Sequence, residues 1–193
     1  ETRQEAIDAI RSEADAMKEL VEQLLFLARG DNDSMRVDMT DFDLNEVAAQ
    51  VLRETEMIDP SHTFAGRWTR EPAPVHADLG LIKQALRVLV DNSVKYTPAG
   101  GQITLRVEAE GGQARLSVQD EGQGIDPESL PHIFDRFFRT DQSRARQTGG
   151  TGLGLSIAKW IVDRHGGWFE VLSREGIGTR MTMVLPLARL EGL

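Results

Sequence analysis

The chain has 193 residues, 40% of them apolar and 27% charged, a balance that reads as one soluble globular domain plus an appendage. Its formal charge of −9 argues against a nucleic-acid-binding surface, which needs clustered Lys and Arg. The absence of cysteine excludes disulfides, thiolate zinc sites and a cysteine nucleophile, and suits a reducing cytoplasm.

In chain order, the first feature is a stripe of apolar residues. Ile7, Ile10, Ala14, Met17, Val21, Leu24 and Ala28 recur at spacings of three and four, which predicts a helix over 1–29 with a heptad seam. Leu20, Leu25 and Leu27 widen the stripe, so more than one partner helix is expected. Even its longest apolar run, LVEQLLFLA, is far short of the ~20 residues of a membrane span. Gly30 reads as a natural stop, and GDNDS as a polar hinge. A lone helix of this kind cannot bury its seam. Residues 1–30 are therefore expected to belong to an assembly, with 31–39 as a linker and 40–193 as a compact domain. Glu1 is not an initiator Met and no signal peptide opens the chain, so an excised piece is expected, with any membrane anchor upstream.

Within 40–193, Asp43 to Glu46 (DLNE) fits a capping box opening a helix to about Ile58. HTFAGRW predicts a strand. Asp78 is placed to cap a helix from about Leu79 to Val94, ended by TPAGG. GQITLRVEAE and QARLSVQD alternate as strands and meet at Gly111-Gly112, a hairpin signal. A further helix is predicted from Gly154 to His165, then a second hairpin from WFEVLSR and TRMTMVLPL around EGIG. This order implies an α+β fold: helices on one face of a mixed, largely antiparallel sheet, preceded by a long helix.

The stretch GGTGLGLS, Gly149 to Ser156, concentrates glycine where bare backbone must be needed. No Gly-Lys-Ser/Thr follows, so it is not a Walker A loop. The third position of a dinucleotide fingerprint would be Ile157, so that motif fails too. Four segments instead match one family in order: DNSVKYTP, DEGQGI, IFDRFFR and GGTGLGLS. Together with GIGT they resemble the nucleotide-binding domain of sensor histidine kinases. The wider group also holds gyrase-type, mismatch-repair and heat-shock ATPases. The resemblance covers nearly all of 40–193 and implies the two-layer α/β sandwich of that group. Residues 1–30 also resemble the second helix of the kinases' dimerisation and phosphotransfer hairpin.

The resemblance implies ATP and Mg²⁺ as cofactors. Asn92, Lys95 and Tyr96 fall on one helical face, where an amide oxygen can hold Mg²⁺ and an ammonium can neutralise phosphate. A solvated helix end is the other reading of Lys95. Asp120 ends an apolar strand; the family carboxylate at this place accepts the exocyclic amine of adenine, and a plain turn is the alternative. Gly122, Gly124 and Ile125 follow it as expected nucleotide contacts. In IFDRFFR the resemblance makes Phe138 a nucleotide contact and gives one arginine, Arg139 or else Arg136, the γ-phosphate, with Arg139 favoured. TDQSRARQTGG would then be a lid, or a merely solvated loop. Gly150, Thr151, Gly152, Leu153, Gly154 and Leu155 would form a junction whose amides face phosphates, with the leucines pinning it to the core. Thr179 matches a position near adenine, and also fits a cross-strand hydroxyl.

Two departures qualify the match. Val88 stands where the family usually shows another Asn, one turn before Asn92. No segment resembles the His-Glu-Leu-Arg-Thr-Pro box that carries the phosphate acceptor. The histidines, His62, His76, His132 and His165, all sit elsewhere, His165 at a helix end where a cation would favour the dipole. The chain thus reads as the ATP half of a histidine kinase, cytoplasmic, with any anchor in the bacterial inner membrane carried upstream. Its expected partners are a phospho-acceptor hairpin helix of the same protein, a response-regulator receiver domain, and a second copy through the hairpin helices. A nucleotide-binding module without transferase activity, or an ATPase or serine-kinase relative, are the competing readings.

Overall fold

A computed structural model describes residues 3–32, 34–140 and 150–188. Four helices are present among them: α1 (Arg3–Asp31), α2 (Leu44–Ile58), α3 (Leu79–Tyr96) and α4 (Gly154–Arg164). The strands are β1 (Thr40–Asp43), β2 (Thr63–Arg67), β3 (Pro74–Ala77), β4 (Gln102–Glu110), β5 (Gln113–Asp120), β6 (Trp168–Arg174) and β7 (Gly178–Pro186). A 3₁₀ turn spans Leu130–His132.

Alternation decides the main sheet. Ile103, Leu105 and Val107 of β4, Ala114, Leu116 and Val118 of β5, and Met181, Met183 and Leu185 of β7 are buried. They meet the apolar stripes of the helices, among them Val47 and Val51 of α2, Ile82 and Leu86 of α3, and Ile157 and Ile161 of α4. The opposite face is charged, with Arg106 beside Glu108 at 3.5 Å and Arg115 paired with Glu170. Strand order is β2-β4-β5-β7-β6, parallel only between β2 and β4. Helices thus cover one face of a mixed, mostly antiparallel sheet, the two-layer arrangement expected.

Helices α2 and α3 start where their caps stand. Asp43 Oδ1 accepts the Asn45 amide at 3.0 Å, and Asp78 Oδ1 that of Leu81 at 3.0 Å. α3 runs to Tyr96, slightly past the predicted end, and stops where the Thr97 amide donates to Ser93 O at 3.0 Å. The small sheet β1-β3 was not expected. Its strands have four residues each and little alternation, and Asp43 ends β1 while capping α2.

Gly30 does not stop α1. It lies inside the helix and buried, because a Cβ there would stand 2.6 Å from Cε2 of Trp160. The helix ends instead where Asn32 and Ser34 turn back onto the carbonyls of Ala28 and Arg29. Phe26 meets Trp160 edge-on at 5.3 Å, and Leu27 is buried. One face of α1 therefore docks on α4. The predicted seam points elsewhere: Ile7, Ile10, Met17, Val21 and Leu24 are all exposed. No described helix is long and apolar enough to cross a membrane.

Candidate functional site

A cavity of about 270 Å³ opens between the end of α3, the end of β5, the start of α4 and the IFDRFFR segment. At its inner end Asp120 is 9% exposed and accepts three hydrogen bonds. Oδ1 takes the amides of Gly122 at 2.9 Å and Thr179 at 3.1 Å; Oδ2 takes the Ser93 hydroxyl at 3.0 Å. Burial pushes this carboxyl above the ordinary 3.8, against the pull of those donors. A carboxylate oxygen has more lone-pair capacity than one hydroxyl uses, so Oδ2 can accept a further donor from the cavity.

Backbone geometry builds this end. Gly122 sits so close to the carbonyl of Tyr96 that a Cβ would stand 2.6 Å from it. The Gln123 amide donates to that same carbonyl at 3.2 Å, and Gly176 N–H closes back to Gln123 O at 2.8 Å. Ser173 Oγ accepts the Ile125 amide at 2.8 Å and lies 2.8 Å from Thr179 Oγ1. The α3 terminus, the DEGQGI loop and the last hairpin are thus tied together around Asp120.

The other end is cationic. Arg139 donates to Gly150 O at 2.7 Å, and Lys95 Nζ lies 2.7 Å from where a Cβ on Gly150 would stand. Desolvation, then the nearby Arg139 charge, lowers the Lys95 pKa. The Lys95 ammonium lies 5.1 Å from the Tyr96 ring centroid, and that phenol is raised chiefly by burial. Gly152, at φ +74°, accepts the Phe137 amide at 2.9 Å. Leu153 is fully buried, and no side chain caps the first turn of α4, whose Gly154 and Leu155 line the cavity. An uncapped helix start beside two cations is a place for an anion.

Most of the expected residues converge here. Asn92, Lys95, Tyr96, Asp120, Gly124, Ile125, Phe138, Arg139, Gly150, Thr151, Gly152, Gly154, Leu155 and Thr179 line the cavity. Gly122 and Leu153 stand behind the lining as supports. Arg136 points away: its guanidinium pairs with Asp31 at the end of α1 at 2.7 Å. In the same segment Phe134 stacks on Phe169 of β6 at 5.0 Å, while Phe137 is exposed. Val88 lines the wall, its Cγ1 3.2 Å from where a Cβ on Gly154 would stand. The expected lid falls mostly on 141–149, outside the described residues, as does Gly149. Glu19 and Gln23 of α1 also line the cavity, which sequence reading missed; their only signal was two polar residues four apart beside an apolar stripe.

Every histidine has a partner within the chain. His62 bonds Asp59 Oδ2 at 2.5 Å and Thr97 O at 3.0 Å; since both partners accept, both ring nitrogens carry protons. The Thr97 carbonyl first, then Asp59, raise its pKa against the cost of burial. His76 pairs with Asp41 at 2.6 Å and His132 with Asp135 at 2.9 Å. His165 is not the dipole-stabilising cation expected. Its Nε2 accepts the Asp78 amide at 3.0 Å while Nδ1 donates to Ile161 O at 2.6 Å, so the network assigns a neutral ring. Among the described residues no cluster of three or more His, Asp or Glu could hold a metal ion.

A family model described as histidine kinase-, DNA gyrase B- and HSP90-like ATPase matches residues 77–189, more than half the chain. The chain belongs to this family, and within it to the ATP-binding catalytic domains of sensor histidine kinases. Among its relatives, the sensor histidine kinase YkoH of Bacillus subtilis (strain 168) is 43% identical over 183 residues, 95% of this chain and 39% of YkoH. Full-length ShkA, solved with AMPPNP, is 28% identical with a TM-score of 0.82, covering 96% of this chain and 39% of that one. The histidine kinase ThkA, solved with the response regulator TrrA, is 29% identical with a TM-score of 0.75, covering 100% and 53%. The chain spans less than half the length of the curated relatives it matches.

Proposed function

We propose that the chain binds Mg·ATP in this cavity. In the whole protein it passes the γ-phosphoryl group to a histidine on a hairpin helix outside the chain, for relay to a response-regulator aspartate. The observation that carries the reading is Asp120: a buried carboxylate with its own structural donors and capacity for one more, at the closed end of a cavity whose other end is cationic. Adenine offers an amine there. Guanine offers a carbonyl oxygen, which would leave two acceptors facing each other.

The remaining roles follow from position. Lys95 and Arg139 neutralise phosphate oxygens, and the place of Arg139 in the cavity wall, with Arg136 turned to Asp31, supports Arg139 as the γ-phosphate contact. Gly150, Thr151, Gly152, Gly154 and Leu155 line the cavity at the α4 N-terminus, where backbone amides would meet the phosphates. Mg²⁺ would be held by Asn92, a single protein ligand that suits a cation keeping waters and phosphate oxygens as its other ligands. When bound it supplies charge neutralisation between phosphates. Catalysis here is positioning and charge stabilisation. No histidine is among the residues lining the cavity, which supports an acceptor outside the chain. The exposed seam of α1 supports residues 1–30 as one helix of that hairpin, 31–39 as its linker, and a homodimer through it. ATP as substrate puts this portion in the cytoplasm.

Incubating the chain with a separately made acceptor hairpin and radiolabelled ATP should yield acid-labile, alkali-stable phosphohistidine on the hairpin. No phosphohistidine under any condition would sink the transferase reading. Val88 favours one second reading: an apolar wall against Gly154 replaces an amide, as in a module that holds nucleotide without transferring phosphate. Measured ATP affinity with zero turnover in the intact protein would establish it.

A further inference from the structure

The docked face of α1 carries two polar side chains to the phosphate end of the cavity. Gln23 donates through Nε2 to Glu19 Oε1 at 2.9 Å, and its Oε1 accepts the hydroxyl proton of Thr151. Thr151 Oγ1 in turn accepts the Leu153 amide at 3.2 Å. A hydroxyl has one proton to give. While α1 is docked, that proton goes to Gln23, so the Thr151 hydroxyl, a donor at the anion-binding end of α4, is used within the protein. Glu19 adds a carboxylate to the same wall. Its field reaches Asp91, whose pKa is raised mainly by burial and further by Glu19, against the opposing pull of Arg87.

We infer that docked α1 competes with the phosphate chain of the nucleotide: Glu19 and Gln23 oppose a polyanion at the start of α4, so ATP binding and undocking of α1 are coupled. The coupling rests on the nucleotide reading above, and by linkage it runs both ways. It is selective by charge. The Asp120 end, which would take the base, has no contribution from α1, so the antagonism should grow with phosphate number and vanish for adenosine. The contacts that hold α1 in place, Phe26 on Trp160 and Asp31 on Arg136, lie outside the cavity and set how much of the docked state is present.

Calorimetric titration of the chain with adenosine, Mg·ADP and Mg·ATP tests this. Glu19→Gln and Gln23→Ala should each tighten ATP about fivefold or more, ADP less, and adenosine not at all. Asp31→Ala, which leaves every cavity side chain in place, should act in the same direction. In the unmodified chain, saturating ATP but not adenosine should speed hydrogen exchange over residues 20–30. Variants with unchanged or weaker ATP affinity, or α1 exchange indifferent to ATP, would overturn the coupling while leaving the nucleotide site intact. If the unmodified chain binds neither adenosine nor ATP, the nucleotide reading itself falls, and the coupling with it.

Discussion

Asp120 carries an energetic conflict. Burial raises its pKa above 3.8, so the folded state holds that proton more tightly than the unfolded chain. The contribution favours folding below 3.8 and is lost as pH rises through the folded pKa; ionisation at neutral pH costs stability and serves the site. Recognition of an amine needs the ionised form. ATP affinity should therefore fall on acidification with an edge above 3.8, visible in titrations with a fluorescent ATP analogue. Asp120→Asn should weaken ATP by roughly ten- to a hundredfold, the worth of a charged hydrogen bond, and abolish that edge. An acid edge surviving in the variant would assign it to another group. At this scale Asp120 and Lys95 each read alone as a turn residue and a solvated helix end; only the four boxes together pointed to one site, and both residues do line one cavity. The sequence favoured Arg139 over Arg136, three residues apart, but gave no sign that Arg136 pairs with Asp31, which lies 105 positions away.

Elements were legible where their signals are local. Asp43 and Asp78 cap the helices that follow them, and the Gly111-Gly112 hairpin joins strands paired from Ile103–Asp120 to Glu110–Gln113. Gly30 was misread because a glycine that ends a helix and one that admits an indole look alike in sequence. GIGT hides a stricter demand. Gly178 has φ +137°, and a Cβ there would stand 2.1 Å from the backbone oxygen of Asp120. Neither strand can yield without shifting Asp120 itself. Gly178→Ala should cost on the order of 2 kcal/mol or more, lowering the calorimetric midpoint by about 4–8 °C, and should weaken ATP as well. An unchanged midpoint would refute this account of the approach of β7 to β5.

For the molecule as a whole, the bulk charge of −9 conceals a cavity with Lys95 and Arg139 at one end and an acidic helix at its rim. Anything that binds only the folded state stabilises it. ATP at a hundred times its dissociation constant should add about 2.7 kcal/mol, a rise in midpoint of roughly 5–10 °C, readable by thermal-shift calorimetry. No rise with ATP, in a chain that unfolds cooperatively, would argue that the cavity does not take nucleotide. By itself the sequence determined the helices and the strands of the main sheet, the class of fold, and four nucleotide boxes in order, because periodicity, caps and short motifs act over neighbouring residues. The tertiary structure alone decided that Ser93 braces Asp120, that Arg136 leaves the site for Asp31, and that Glu19 and Gln23 enter it. Those outcomes depend on which surfaces pack across long separations in the chain, where burial and geometry choose among partners that look equivalent in sequence.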